Sequence, residues 1–135
     1  MHALLLIAHG SRREASNAEV RELAAKLERL AGKRFGCVIP AFLELAEPDI
    51  PTSVGLCAKQ GATTVTAVPY FLAAGRHVAN DIPDELEKAA RKYQAITIHQ
   101  SDYLGKHETI TELLLGLAMK KYDPGAKQQP AQATG

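Results

Sequence analysis

Short apolar runs alternate along this chain with longer amphipathic segments. Residues 3–8 are apolar throughout, which is typical of a strand that is covered on both faces. Residues 62–72 are rich in β-branched side chains and predict the clearest strand of the chain. Residues 34–43 and 95–100 predict two more strands. Pro40 favours an irregular or edge position for the first of these, because proline cannot donate a hydrogen bond to the ladder.

The segments that follow these strands show helical spacing. Helices are predicted over residues 14–30, 49–60 and 109–121. Another helix is predicted within residues 78–93, beginning near Pro83, because proline is tolerated in a first helical turn. The resulting order is β-α-β-α-β-α-β-α.

This alternation predicts an α/β fold with an open, mostly parallel four-stranded sheet and helices on both faces, a flavodoxin-like three-layer sandwich. The apolar stripe of the first helix and that of the last helix are expected to face the core. These stripes comprise Val20, Leu23, Ala24, Leu27 and Leu30, and Ile110, Leu113, Leu114 and Leu117. Residues 1–122 are predicted to form one domain, and residues 123–135, which have no apolar stripe, a disordered tail.

Composition narrows the class of protein. The chain has 135 residues, of which 46% are hydrophobic, and a formal net charge of +1. This near-neutral balance argues against a nucleic-acid binder. Cys37 and Cys57 form no CxxC motif and are expected to be buried free thiols. The first apolar run is too short for a membrane span or a signal-peptide core, so no membrane partner is expected and a soluble cytoplasmic protein is predicted.

Polar residues follow the ends of all four predicted strands. They are His9-Gly10-Ser11-Arg12 after the first strand, Glu44 after the second, Gly75-Arg76-His77 after the third, and Ser101-Asp102 with Gly105-Lys106-His107 after the fourth. Ligands of open parallel sheets bind outside the carboxyl ends of the strands. The strands are therefore predicted to hold the residues of a binding site in fixed positions at this edge.

Two histidines and a glutamate give this edge its chemistry. His9 and His77 are far apart in sequence but are expected at the same rim. Neutral imidazoles bind divalent transition metals and titrate near neutral pH. Glu44 adds an oxygen ligand or a base, so the three residues predict a metal or proton-transfer site with open positions. Hydrogen-bonded loop residues without a catalytic role are the alternative interpretation.

Basic residues are expected to surround the same site at the carboxyl ends of the strands. Arg12, Arg13, Arg76 and Lys106 can pair with carboxylates or phosphates of a ligand. A solvated rim without a ligand is the alternative.

Three motifs in order resemble a known family. "AHGSR" at 8–12, "FLELAEP" at 42–48 and "VPYFLAAGRHVANDIP" at 68–83 resemble the short CbiX-type sirohydrochlorin cobaltochelatases of the class II chelatase family. The resemblance extends from about residue 4 to the last helix. It implies a chelatase-like fold and the ATP-independent insertion of Co²⁺ into sirohydrochlorin in cobalamin biosynthesis, with no cofactor beyond the substrate metal.

The resemblance also implies roles for individual residues. His9 and His77 match the metal-binding histidines of the family, and Glu44 matches its motif glutamate. Substrate contacts are expected from Ser11, Arg12, Gly75, Arg76, Lys106 and His107. Phe71 and Leu72 are expected either to face the apolar ring or to lie in the core. Because the short proteins correspond to half of a two-domain chelatase, a homodimer is expected, with sirohydrochlorin and a divalent metal ion as the other partners.

Several alternatives remain open at this point. Imidazole ligands also accept Ni²⁺ and Fe²⁺, so a ferrochelatase or a nickelochelatase acting on the same tetrapyrrole is possible. A non-catalytic carrier of the metal or the tetrapyrrole would use the same histidines. A histidine phosphatase is disfavoured, because an arginine directly precedes the histidine in that family and Ala8 stands there in this chain.

Overall fold

Four parallel strands form one sheet in the computed structural model, which describes residues 1–122 apart from the side chain of His77. The strands are β1 (His2–Ala8), β2 (Cys37–Phe42), β3 (Thr64–Pro69) and β4 (Thr97–Gln100), in the spatial order β2-β1-β3-β4. All three strand pairs are parallel, which confirms the predicted sheet. β2, which contains Pro40, is an edge strand as expected. The predicted tail, 123–135, lies outside the described residues.

Four helices alternate with these strands. They are α1 (Glu14–Ala31), α2 (Ile50–Lys59), α3 (Arg76–Lys92) and α4 (Thr109–Lys121), with short 3₁₀ turns at Gly32–Arg34 and Leu104–Lys106. The expected start of α3 near Pro83 is wrong, because α3 begins seven residues earlier and Pro83 lies inside it. Proline removes one hydrogen bond of the helix, but the burial of Ile82, Leu86 and Ala89 retains the helix against the sheet.

The sheet has two faces with different covers. Ala3, Leu5 and Ile7 of β1 belong to the larger core cluster, with side chains from α2 and α3, so we name this side the α2/α3 face. Leu4 and Leu6 point the other way and pack against α1, and we name that side the α1 face. Two packed layers on a central sheet are the arrangement expected of a mostly parallel α/β protein.

The expectation that α4 faces the core is wrong. Leu113, Leu114 and Leu117 are 55–63% exposed. Leu30 of the α1 stripe is also exposed, whereas Val20 and Ala24 are buried. Helical spacing identifies an apolar face but does not say what covers it. None of the helices between residues 1 and 122 has the length and apolar character that a membrane crossing requires.

Both cysteines are buried free thiols, as expected. Burial raises the pKa of Cys37, and it raises the pKa of Cys57 to about 12. Both thiols are therefore protonated at neutral pH. Both side chains lie in the apolar core cluster of the α2/α3 face.

Asp49 is the N-cap of α2, and its role is testable. Its carboxylate accepts a hydrogen bond of 2.9 Å from the backbone N–H of Thr52, which lowers the pKa of Asp49. We expect Asp49→Ala to lower the free energy of unfolding by about 1 kcal/mol in urea denaturation. Because the folded-state pKa is lowered, the charge-dependent part of this stabilisation is full above the unfolded pKa and is lost as the pH falls through the folded value.

Asp49→Asn is the matched control for the cap, since asparagine also caps helices well. It should retain most of the stability at neutral pH. An asparagine variant as unstable as the alanine variant would show that the cap hydrogen bond is not what stabilises α2.

Candidate functional site

The carboxyl ends of β1 and β2 stay paired beyond the strands. The N–H of Leu43 donates to the carbonyl of Ala8 at 2.9 Å, and the N–H of Glu44 donates to the carbonyl of His9 at 3.0 Å. His9 and Glu44 are thereby held side by side on adjacent segments of the backbone. Two residues that are 35 positions apart in sequence become neighbours because these two hydrogen bonds join the segments that follow β1 and β2.

The side chains of these two residues form a pair at the rim. His9 Nε2 lies 3.0 Å from Glu44 Oε1, and both side chains are about half exposed, at 48% and 52%. The edge of the His9 ring also approaches the ring of Phe71, with 6.4 Å between the centroids. An imidazole and a carboxylate at this distance can share a proton, and both offer donor atoms to a metal ion that arrives from solvent.

Gly10 permits the close approach of the two loops. Its φ angle is +93°, a conformation that residues with a side chain rarely adopt. A Cβ atom at this position would also overlap the carbonyl oxygen of Glu44. The glycine of the "AHGSR" motif is therefore required for the distance between His9 and Glu44.

Asn17 fixes the loop that carries Ser11. The Ser11 N–H donates to Asn17 Oδ1 at 2.9 Å, and Asn17 Nδ2 donates to the Ser11 carbonyl at 2.8 Å. Asn17 is only 3% exposed, and the Ser11 hydroxyl accepts a hydrogen bond from the N–H of Arg13. The sequence pattern did not single out Asn17. The available signal was a polar residue one turn before Val20 and two turns before Ala24, on the buried stripe of α1.

The loop after Glu44 is fixed at its far end. The Phe42 N–H donates to the Pro48 carbonyl at 2.9 Å, and the guanidinium of Arg21 lies over the Phe42 ring and donates to the Glu47 carbonyl. Arg21 also pairs with Glu14, which lowers the pKa of that exposed carboxyl. These contacts fix the two ends of the loop that carries Glu44.

Exposed apolar side chains lie on the loops around the pair. Leu45 is 53% exposed and has a φ angle of +64°, which is unfavourable for leucine. Tyr70 and Leu72 follow β3 and are also exposed, so Leu72 is not a core residue. Phe71 is half-buried and packs against the core. The sequence pattern did not identify Leu45 or Tyr70 as residues of this edge.

The loop after β3 leads directly into α3. Gly75 is the exposed N-cap of that helix, and Arg76 is exposed in its first turn. The backbone of His77 belongs to the same turn. The side chain of His77 lies outside the described part of the structure, so its proximity to His9 stays a prediction.

The loop after β4 is attached to the loop after β3. The N–H of Gly105 donates to the Phe71 carbonyl at 2.9 Å, and a Cβ on Gly105 would overlap the backbone of Leu72. Lys106 Nζ lies 3.6 Å from Asp102 Oδ1 on the surface. His107 Nδ1 accepts a hydrogen bond of 3.1 Å from the Thr109 N–H at the start of α4.

An open pocket of about 210 Å³ lies between these two loops. Its walls include Phe71, Val78, Ile82, Tyr103 and Lys106. Sites that enclose a drug-sized ligand occupy about 300–1,000 Å³, so a larger planar ligand cannot be enclosed by this pocket. Such a ligand would have to lie across the open carboxyl edge.

The described side chains supply two of the three predicted metal donors. Among residues 1–122, with the His77 side chain left aside, no group of three or more His, Cys, Asp or Glu residues is arranged to hold a metal ion. His9 and Glu44 are together, and completion of the predicted set depends on His77. Two exposed donors suit a metal ion that is delivered and released.

Gly10→Ala tests the geometry of this edge. The added methyl group would overlap Glu44 and demand an unfavourable φ angle, so we expect a loss of about 2 kcal/mol or more in the free energy of unfolding. Gly75→Ala is the control, because φ is −67° there and a Cβ would meet no atom within 4 Å. Urea denaturation measures both. Equal stability of the two variants would contradict the close approach of the loops.

Comparison with known proteins agrees with this geometry. The family model described as CbiX matches residues 3–118. A chloroplastic sirohydrochlorin ferrochelatase from Arabidopsis thaliana is 35% identical over 111 residues, covering 82% of this chain and 48% of that protein. A sirohydrochlorin cobaltochelatase from Sulfurisphaera tokodaii is 32% identical over 114 residues, covering 84% of this chain and 88% of that protein. The chain spans about half or less of the length of the first curated relatives it matches.

Solved structures share the fold. A CbiX protein from Marinobacter aquaeolei VT8, described as a cobalamin biosynthesis protein, has a TM-score of 0.72 and 31% identity, over 89% of this chain and 96% of that one. The sirohydrochlorin chelatase SirB from Bacillus subtilis subspecies spizizenii, solved in complex with cobalt, has a TM-score of 0.79 and 30% identity. That match covers 88% of this chain and 50% of SirB.

Proposed function

Because the chain belongs to the CbiX family, we propose that it is a sirohydrochlorin chelatase that inserts Co²⁺ without ATP in cobalamin biosynthesis. The observation that carries the proposal is the His9–Glu44 pair at 3.0 Å, within two of the family motifs and open to solvent. The relative of similar length from Sulfurisphaera tokodaii is named a cobaltochelatase, which supports cobalt. The longer relatives are named ferrochelatases, which makes iron the first alternative.

The reaction requires that the ion loses water and that two ring nitrogens lose protons. We assign the ion to the neutral imidazole of His9, with His77 as the second predicted imidazole. Glu44 is assigned as the acceptor of the two protons in turn and passes each to solvent, because its carboxylate is half exposed and already lies at hydrogen-bond distance from His9. No cofactor besides the substrate metal is needed. The free, reduced cysteines suit a reaction in the cytoplasm.

The substrate is a broad apolar ring with many carboxylates. Leu45, Tyr70 and Leu72 expose apolar surface on the loops beside the pair and are suited to contact the ring. Arg12, Arg76 and Lys106 are exposed on the same edge and are suited to bind its carboxylates. Ser11, Gly75 and His107 keep their proposed role as substrate contacts.

A homodimer is the proposed working unit. The pocket between the loops after β3 and β4 of one subunit is about 210 Å³ and cannot enclose a macrocycle. A second subunit beside the open edge would provide the missing wall, and a two-fold pair would use the same surfaces on both copies.

Insertion kinetics with sirohydrochlorin test the function. Co²⁺, Ni²⁺ and Fe²⁺ are supplied separately without ATP, and insertion is followed through the absorption spectrum of the ring. We expect turnover with Co²⁺ at the highest rate. Faster turnover with Fe²⁺ or Ni²⁺ would identify that ion, instead of Co²⁺, as the substrate metal. Binding of Co²⁺ without turnover would identify a carrier instead of an enzyme.

His9→Ala is expected to lower the insertion rate by at least about 100-fold, because it removes an assigned ligand of the ion and the loss of even a ligand's hydrogen-bond partner costs about 10–100-fold. His77→Ala is expected to act in the same direction. His2→Gln is the matched control, because His2 lies at the opposite end of β1 and contacts Thr66. Circular dichroism establishes that each variant is folded. An insertion rate of His9→Ala close to that of the unmodified chain would remove His9 from the mechanism.

Arg12→Ala and Arg76→Ala are expected to weaken tetrapyrrole binding rather than metal binding. Each charge-assisted contact contributes about 1.5–3 kcal/mol, so the half-saturating sirohydrochlorin concentration should rise by about 10-fold or more at an unchanged half-saturating Co²⁺ concentration. Arg29→Ala, in the last turn of α1, is the control. If both arginine variants have the same half-saturating sirohydrochlorin concentration as the control, the two side chains are solvated and do not bind the substrate.

A further inference from the structure

The pocket between the loops after β3 and β4 shares a wall with the His9–Glu44 pair. Phe71 lines the pocket, and the centroid of its ring lies 6.4 Å from the centroid of the His9 ring. Ser101 and Tyr103, which also line the pocket, follow the carboxyl end of β4. The pocket of about 210 Å³ is too small for a macrocycle. Its position beside His9 suits a group on the periphery of a ring that lies over this residue.

The wall of the pocket combines apolar side chains with one ion pair. Phe71, Val78 and Ile82 provide apolar surface, and Ile82 belongs to the buried core. Lys106 and Asp102 line the same pocket, with 3.6 Å between Lys106 Nζ and Asp102 Oδ1. Apolar walls with a few placed polar groups are typical of small-molecule sites. This wall suits a short apolar stem that ends in an anion.

The backbone fixes the position of Lys106 beside Phe71. The N–H of Gly105 donates to the Phe71 carbonyl at 2.9 Å, and the N–H of Lys106 donates to the Tyr103 carbonyl at 3.1 Å. A Cβ on Gly105 would overlap the backbone of Leu72, so the two loops approach closely at this point. The ammonium group therefore extends from a turn that is attached to the loop after β3.

Asp102 occupies Lys106 with a group that resembles part of the proposed substrate. The aspartate side chain is a carboxylate on one methylene, which is the structure of a carboxymethyl arm of a tetrapyrrole. The side chains of Lys106 and Asp102 are 61% and 76% exposed, and ion pairs that are this exposed contribute little to stability. A second carboxylate can therefore replace Asp102 beside Lys106 at little cost.

We propose that this pocket, which we name the arm pocket, binds one carboxylate arm of the tetrapyrrole. The stem of the arm lies against Phe71 and Val78, and its carboxylate pairs with Lys106 in place of Asp102. Binding of one arm fixes the rotation of the ring over His9, and it selects tetrapyrroles that carry a carboxylate at that position. The inference rests on the proposed function, because it takes the tetrapyrrole as ligand, but it does not depend on which metal is inserted.

Titration of the full chain with metal-free sirohydrochlorin tests the ion pair. Binding is followed through the absorption spectrum of the ring and yields a dissociation constant without any turnover. We expect Lys106→Gln to raise this constant by about 5-fold, the upper range for an exposed ion pair. Asp102→Asn is expected to lower it by about 2-fold, because the arm no longer competes with a fixed carboxylate.

Ala79→Leu tests the arm pocket itself. Ala79 lines the pocket and is exposed on α3, so a larger side chain there occupies the pocket without disturbing the core. We expect the dissociation constant of sirohydrochlorin to rise by about 10-fold, because the stem of the arm loses the burial of about two methylene groups. Ala90→Leu is the control, since Ala90 lines a separate cavity on the same helix.

The ion pair of Lys26 and Glu22 provides matched controls for the charge changes. It also spans four residues, with 3.6 Å between the charged atoms and similar exposure, but it lies on α1. Lys26→Gln and Glu22→Gln should leave the dissociation constant unchanged.

Three results would overturn the inference. An effect of Lys106→Gln without one of Ala79→Leu would place the carboxylate outside the arm pocket, and the reverse would show that the pocket binds an apolar group. Weaker binding by Asp102→Asn would show that Asp102 does not compete with the arm. All three leave the proposed function intact. Binding by the unmodified chain without insertion would overturn the enzyme but not the arm pocket, and no binding of sirohydrochlorin would overturn both.

Discussion

The hydrogen bond from the Glu44 N–H to the His9 carbonyl is the constraint on which the candidate site depends. It joins the two loops that follow β1 and β2 and so brings an imidazole and a carboxylate to 3.0 Å. The step is possible because Gly10 has no side chain to separate the loops. The geometry of the edge thus follows from backbone hydrogen bonds between the two loops, and the motif glycine is as necessary for it as the two side chains of the pair.

The same principle orders the rest of the edge. Asn17 of α1 fixes the loop that carries Ser11 through two hydrogen bonds, and the N–H of Gly105 attaches the loop after β4 to the loop after β3. These contacts are formed by backbone groups and one buried amide, so they are insensitive to what the solvent-facing side chains bind. The rim can therefore present Leu45 and the arginines to a large ligand while the positions of His9 and Glu44 stay fixed.

The sheet was predictable from sequence because its signal is local. The apolar run of β1 and the β-branched run of β3 each identify a strand, and the parallel order follows from alternation with helices. The placement of His9 and Glu44 at one edge followed from the rule that ligands bind at the carboxyl ends of parallel strands. The predictions that failed concern features that are set by contacts between residues far apart in sequence. The start of α3 is set by the loop that ends at Gly75 rather than by Pro83, and the stripe of α4 says that the helix must pack without saying on what. Asn17 and Leu45 were missed because a polar residue on a buried stripe and a leucine with a positive φ have no distinctive pattern.

We propose that the substrate metal is bound by His9 at the open carboxyl edge of the sheet. The most direct measurement is anomalous diffraction from crystals of the full chain that contain Co²⁺. We expect an anomalous peak about 2.1 Å from His9 Nε2, a normal bond length between an imidazole and a divalent transition metal, with Glu44 adjacent. A peak confined to His2 or His99, with none at His9, would contradict it.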